Sequence, residues 1–404
     1  MSLPQGTDAV DNARPDKGLA TPSGREPRWY LPGLWATVLI IGLLGIMQLI
    51  LMSRDARPAE DQCRFAGQLV PAATPPENES PTSSGAPGAA IEALAPLSTE
   101  NSWRFGFGLA LSADPGPWAA ALGAGWYLDW SASPRPDQAP LTHWLMVRVA
   151  PGCTRPSPPE AALLARQHTG RTWIIGNEPD VIWQDHLPPE RYAEVYHAYH
   201  SAIKSADPSA QLAVAGVAQP TPLRLAYLDR VLDAYRSAYG RPMPVDVWTV
   251  HNFVLREERG SWGAEIPPGF EGVTAGRLYQ VSDHARLDLF ESHLRGFRGW
   301  MAEHGYRDTP LALTEFGILM PPEYGFPSEV VTGYLDQTLD LLMSLVDPAT
   351  GDPADGNRLV QRWAWFSLSD STFPTGNLAD LRLGRLTEAG LAYRRAAERW
   401  GGLR

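Results

Sequence analysis

From Trp103 onward, short apolar runs alternate with longer amphipathic stretches. The runs are FGFGLAL (105–111), AGWYLDW (124–130), WLMVRVA (144–150), TWIIGN (172–177), LAVAGV (212–217), DVWTVHNF (246–253), PLALTEF (310–316) and RWAWFSL (362–368), eight in all. Trp-Ile-Ile in the fourth is β-branched and aromatic without polar alternation, as a strand covered on both faces should be. Between the runs, PPERYAEVYHAYHSAIKSA (188–206), TPLRLAYLDRVLDAYRSAYG (221–240) and EVVTGYLDQTLDLLMSL (329–345) read as helices. The first opens with Pro-Pro-Glu, which suits a helix N-terminus. Its Tyr192, Val195, Tyr196 and Tyr199 fall on one face at spacings of three and four.

Strands alternating with helices predict an α/β protein with a parallel sheet. Eight such units fit a closed (β/α)8 TIM barrel, typically ~250 residues before insertions. The competitor is an open doubly wound sheet, which would carry a glycine-rich phosphate loop after its first strand. Gly106 and Gly108 lie inside that strand with no third glycine in place, and no GxxxxGK[ST] occurs. The barrel is the expectation, occupying residues 102–404.

Ahead of it, Leu31 to Met52 (LPGLWATVLIIGLLGIMQLILM) carries no charge. At helical rise that length crosses a hydrocarbon core of roughly 30 Å. A secretory signal has a shorter apolar core and a small-residue cleavage site, so residues 29–53 read as an uncleaved transmembrane anchor. Lys17, Arg25 and Arg28 precede the span and Arg54, Arg57 and Arg64 follow it, which nearly balances the positive charge. The large C-terminal domain favours the N-terminus inside, giving a single-pass cell-membrane protein with an extracellular domain. Residues 54–101 include PAATPPENESPTSSGAPGAA and read as a Pro/Ala/Ser-rich tether. Residues 1–28 read as a disordered tail.

A formal net charge of −11 with no basic block argues against a nucleic-acid partner. Cys63 in the tether and Cys153 in the globular part do not make a disulfide framework. No HExxH is present, and His197 with His200 belongs to an amphipathic helix, so neither metal nor cofactor is expected. GxSxG and cysteine–histidine motifs are missing as well. Nothing in the pattern sets an oligomeric state.

In such barrels active sites lie at the C-terminal ends of the strands. Glu178 stands just past the fourth strand, in GNEP, and Glu315 ends the seventh, in LTEFG. Those strands face each other across the ring. Two carboxylates flanking a sugar are what glycoside hydrolysis needs, one to protonate the leaving oxygen and one to attack the anomeric carbon. Singly, Asn177-Glu178 could be a capped turn and Glu315 an ion-pair partner; together at opposed strand ends they point to a site.

GNEP and TEFG resemble the strand-end motifs of the large clan of retaining glycoside hydrolases with (β/α)8 barrels. The resemblance implies Glu178 as acid/base, Glu315 as nucleophile and Asn177 as a partner of the sugar 2-hydroxyl. Within the clan the chain is similar to the Asl1-like catalytic domains, which include β-1,3-glucanases. GWYLDW (125–130) is similar to their second-strand motif, with Asp129 where asparagine is usual, and the sixth strand continues His251-Asn252-Phe253 where His-Trp-Tyr is usual. His251 either orients a carboxylate or bonds the sugar; a packed core histidine is the plain reading. Trp365, in WAWF, is similar to the clan's sugar platform, whose ring face stacks on a pyranose. Trp363 shares its parity, so one of the two could fill the core. Trp130 and Trp183 stand near strand ends, as added subsites or as loop packing. Arg148 is either a charge that lowers the nucleophile's pKa or an ordinary ion pair. The insertion 256–288 is expected to wall the cleft. The expected protein is a membrane-tethered hydrolase of a β-linked glycan, a β-glucan first; the alternative is a noncatalytic, wall-associated glycan-binding barrel.

Overall fold

The computed structural model describes residues 94–136 and 138–401. The tail, the apolar span and the tether as far as residue 93 lie outside the described residues. Among the described residues no helix is long and apolar enough to cross a membrane.

All eight apolar runs form strands: β1 Phe105–Gly108, β2 Trp126–Leu128, β3 Thr142–Val147, β4 Thr172–Ile175, β5 Gln211–Val214, β6 Trp248–His251, β7 Leu311–Phe316 and β8 Arg362–Trp365. They pair in the order β5-β4-β3-β2-β1-β8-β7-β6. A parallel bridge between Ala213 and Val247 brings β5 to β6 and completes the ring. Seven helices are found among the described residues: α1 Pro115–Leu122, α2 Pro158–Gln167, α3 Pro189–Ala206, α4 Pro222–Tyr239, α5 Leu287–Glu303, α6 Ser328–Ser344 and α7 Glu388–Gly401. The link from β2 to β3 holds no helix among its described residues. Pro134, Pro136 and Pro140 remove the amide donors a helix would need there.

Strand alternation sorts the apolar residues into two layers. Trp126, Leu128, Trp144, Met146, Ile174, Ala213, Ala312 and Ala364 fill the barrel. Phe105, Trp173, Ile175, Leu212, Trp248 and Trp363 point outward under the helices. Much of the tryptophan is therefore core. Residues 94–101, read as the end of the tether, pack on the domain instead. Leu97 donates its N–H to the Ala120 carbonyl at 2.8 Å, and Asn101 Nδ2 donates to the Trp400 carbonyl at 2.8 Å. These contacts lie at the N-terminal ends of the strands, away from the mouth. Cys153 is disulfide-bonded, a pairing the sequence offered no reason to expect; Cys63 lies outside the described residues.

Candidate active site

Past β4 the chain turns sharply. Asp185, fully buried, accepts from the N–H groups of Asn177 (2.7 Å) and Val149 (3.1 Å) and from Arg148 Nε (2.9 Å). That fixes the turn on which Glu178 stands, and the Glu178 N–H donates to the Gly216 carbonyl at 3.1 Å. Five non-glycine residues among those described have a positive φ, and Glu178 (43°) and Trp130 (53°) are two of them. Such backbone persists where the surroundings over-determine it, and it clusters at functional sites.

His251 ends β6, where the register against β7 shifts and pairs it with Glu315. Its Nδ1 lies 2.8 Å from Glu178 Oε1 and its Nε2 lies 3.5 Å from Glu315 Oε1. Trp130, two residues past β2, donates its indole N–H to the same Glu315 oxygen at 2.7 Å. Two glycines make room for these rings. A Cβ on Gly216 would stand 2.6 Å from His251 Cδ2, and one on Gly108 would stand 2.6 Å from Trp130 Cη2.

Glu178, His251 and Glu315 are all buried. Burial pushes Glu315 up to about 7; the charge of Glu178 adds to the rise, while His251, the Trp130 hydrogen bond and Arg148 oppose it. Burial would lower His251, but Glu315, Glu178 and Asp180 outweigh it and hold the ring above its usual value. One ligand atom from each of the three groups lies within 4.8 Å of the other two, a spacing at which a divalent ion could be held. A metal needs a neutral imidazole. Here each ring nitrogen is aimed at a different carboxylate and the surroundings favour the protonated ring, so the arrangement suits a shared proton better than an ion.

The other expected residues divide. Asn177 sits beside Glu178, with Nδ2 3.3 Å from Gln184 Oε1 and a buried Oδ1 that has no hydrogen-bond partner. Asp129 is turned away into the β2–β3 loop. Its oxygens accept from Ser131 Oγ (3.0 Å) and Arg135 Nε (3.0 Å) and meet His143 Nε2 at 2.9 Å. Burial would raise its pKa, but the bonds from His143 and Ser131 and the charge of Arg135 leave it below the usual carboxylate value. Trp183 is half-buried and packs with Leu255 on Val181, Ala218 and Ala264, where the loop after β4 meets the excursion after β6. Arg148 pairs with Asp185, and its charge opposes the rise of Glu315.

Trp365 is a correction. It is fully buried, points into the helix layer against Phe316, and donates its N–H to the Gly376 carbonyl at 2.6 Å, so it offers no face to a sugar. Strand parity gives the mouth to the next residue. Phe366 is half-buried and meets Trp130 edge-on at 5.7 Å and Phe253 at 6.0 Å between ring centroids. Phe366 was not foreseen from the sequence, and Phe253 only as part of the sixth-strand motif; the outward parity of Trp363 and Trp365 was the available signal for Phe366.

Residues 254–286 stand over one side of the mouth and are tied to the strand ends. Gln219, past β5, pairs with Leu255 in both directions, its Nε2 donating to the carbonyl (2.8 Å) and its Oε1 accepting from the N–H (2.7 Å). His284 Nδ1 donates to the Val254 carbonyl at 3.1 Å, and its Nε2 accepts from the Leu319 N–H at 3.0 Å.

No protein-family model matches the sequence, and no curated protein matches it. Among solved structures, the chain is similar to a GH128 subgroup II endo-β-1,3-glucanase from Sorangium cellulosum. That match has 18 % identity and a TM-score of 0.51, over 72 % of this chain and 98 % of the other. It is likewise similar to a GH128 subgroup I endo-β-1,3-glucanase from Amycolatopsis mediterranei, at 20 % identity and a TM-score of 0.50, over 72 % and 99 %. At that identity the likeness establishes the barrel architecture, which this chain shares with both glucanases.

Proposed function

We propose that the protein is a retaining glycoside hydrolase of β-1,3-glucan. The observation that carries the reading is the buried Glu178–His251–Glu315 cluster at the mouth of the barrel. Carboxyls about 5–5.5 Å apart suit a nucleophile and an acid/base, whereas a water-activating, inverting pair needs roughly 6.5–9.5 Å. The 4.8 Å limit on the separation of one oxygen from each glutamate supports the first. Glu315 attacks the anomeric carbon while Glu178 protonates the departing oxygen. In the second step Glu178 takes a proton from water, which displaces Glu315 from the sugar. His251 serves both steps: with one proton on the Glu178–His251 pair, its transfer across the 2.8 Å bond readies the acid. The GH128 likeness and the resemblance to Asl1-like domains support a β-1,3-glucan as substrate. The apolar span 31–52 supports a membrane anchor, and a disulfide-bonded Cys153 suits an oxidising, extracellular setting.

The test is sugar release from laminarin by the full chain beside Glu178→Gln and Glu315→Ala. We expect release by wild type, a fall of about 10²–10⁴-fold in Glu178→Gln, and no release by Glu315→Ala. NMR of the first product should show retained anomeric configuration. Laminarin binding without release would replace this reading with the glycan-binding barrel.

A further inference from the structure

Asp180, two residues beyond Glu178, is fully buried, and its Oδ2 lies 2.7 Å from Nε of Arg224 on α4, which is buried as completely. Arg224 turns its remaining nitrogens to the excursion after β6. Nη1 pairs with Glu257 Oε1, and Nη2 donates to the carbonyls of Ala264 (2.7 Å) and Glu265 (3.2 Å). Glu257, also fully buried, accepts from Thr221 Oγ1 and from the Arg277 N–H at 2.8 Å. One guanidinium thus joins the acid/base turn to several points of the cleft wall.

A cation between two buried carboxylates is a poor way to gain stability. Apolar replacements of such triads are often neutral or better, while removal of one partner alone is costly. The chemistry proposed above uses none of these side chains. Their location argues for a use, because Asp180 and Glu178 repel one another and Asp180 favours the charged form of His251.

We infer that Arg224 is a positioning residue of the acid/base, fastening the Glu178 turn to residues 255–277 and balancing the Asp180 charge beside the catalytic pair. The inference rests on the hydrolase reading for its purpose, though not for its measurement. Asp180 faces Glu178 on its own loop, Arg224 and Tyr227 on α4 and His251 on β6. Glu257 and Thr221 complete the surroundings of Arg224.

The experiment follows the His251 ring by NMR titration, and the wall by backbone hydrogen exchange, in the full chain and in Asp180→Asn, Arg224→Lys and Arg224→Met. Neither readout needs substrate. Loss of the negative charge in Asp180→Asn should lower the His251 midpoint by about half a pH unit. Burial already pushes Asp180 up to about 6 beside Arg224, so Arg224→Met, which leaves Asp180 to take up a proton, is read by hydrogen exchange alone and should speed it over residues 255–277. Arg224→Lys keeps the charge without the planar fork. It should leave the midpoint in place and speed exchange over residues 255–277 by roughly tenfold. A raised midpoint in Asp180→Asn, or wild-type exchange in Arg224→Lys or Arg224→Met, would overturn the inference. Should Arg224→Met not fold, the other two variants decide it: an unmoved midpoint in Asp180→Asn would overturn it as well. If laminarin is left uncut by wild type while these readouts respond as expected, the hydrolase reading fails and the positioning role stands.

Discussion

Glu315 has one neutral donor, the Trp130 indole at 2.7 Å, and a second nitrogen, His251 Nε2, at 3.5 Å. The nucleophile role proposed for Glu315 requires it ionised, and burial pushes it up to about 7. Activity on laminarin should therefore fall as pH drops below about 7. The indole bond favours the carboxylate form, so its loss raises the pKa further. In Trp130→Phe we expect the acid limb of kcat/KM to move to higher pH, with roughly tenfold less activity at pH 6, as a hydrogen bond to a charged group warrants. An acid limb that stays in place would remove Trp130 from this role. The placement of the glutamates and His251 at the mouth was legible because each stands at or just past a strand end inside a short motif. The task of Trp130 was not, because its bond to Glu315 spans 185 positions that only closure of the barrel brings together. The Trp365 error was one of phase: a single residue of parity separates a ring in the core from one at the mouth.

Among the elements, strands and helices followed hydrophobic period closely, since nearly every strand is covered on both faces and most helices are amphipathic. What period could not carry was the connections, whose conformation depends on side chains reaching other loops. His284 is an example. It holds Val254 to Leu319, and burial pushes it down to about 4. His293 is pushed down to about 4 for the same reason and bonds Asn252 Oδ1 at 2.8 Å. Between about 4 and the unfolded value near 6.5 the unfolded chain binds more protons, so stability present above pH 6.5 is lost as pH falls toward 4. Each histidine accounts for at most about 3 kcal/mol of that loss. Calorimetry from pH 7 to 4 should show Tm falling through this window. His284→Gln should start lower and fall less steeply, and an equally steep fall would contradict the assignment.

The molecule as a whole was readable as a barrel because eight strand–helix periods leave few topologies open, and the missing helix between β2 and β3 did not disturb the count. The starting point of the domain was less readable. Leu97 sits in a sequence rich in Pro, Ala and Ser, and only its contacts reveal that it packs on the core. A chain beginning at residue 102 should be less stable than one beginning at 94, by about 1–2 kcal/mol for the apolar surface of Leu94 and Leu97; equal denaturation midpoints would count against this. The same contacts, with Asn101 against Trp400, bring the two ends of the barrel domain together on the floor, while the glutamates open on the roof. Immobilised on a bead or fused to a carrier through either end, the protein would turn the face carrying Glu178 and Glu315 outward. A long polymer could then be approached along its flank, with no free chain end needing to thread past the support.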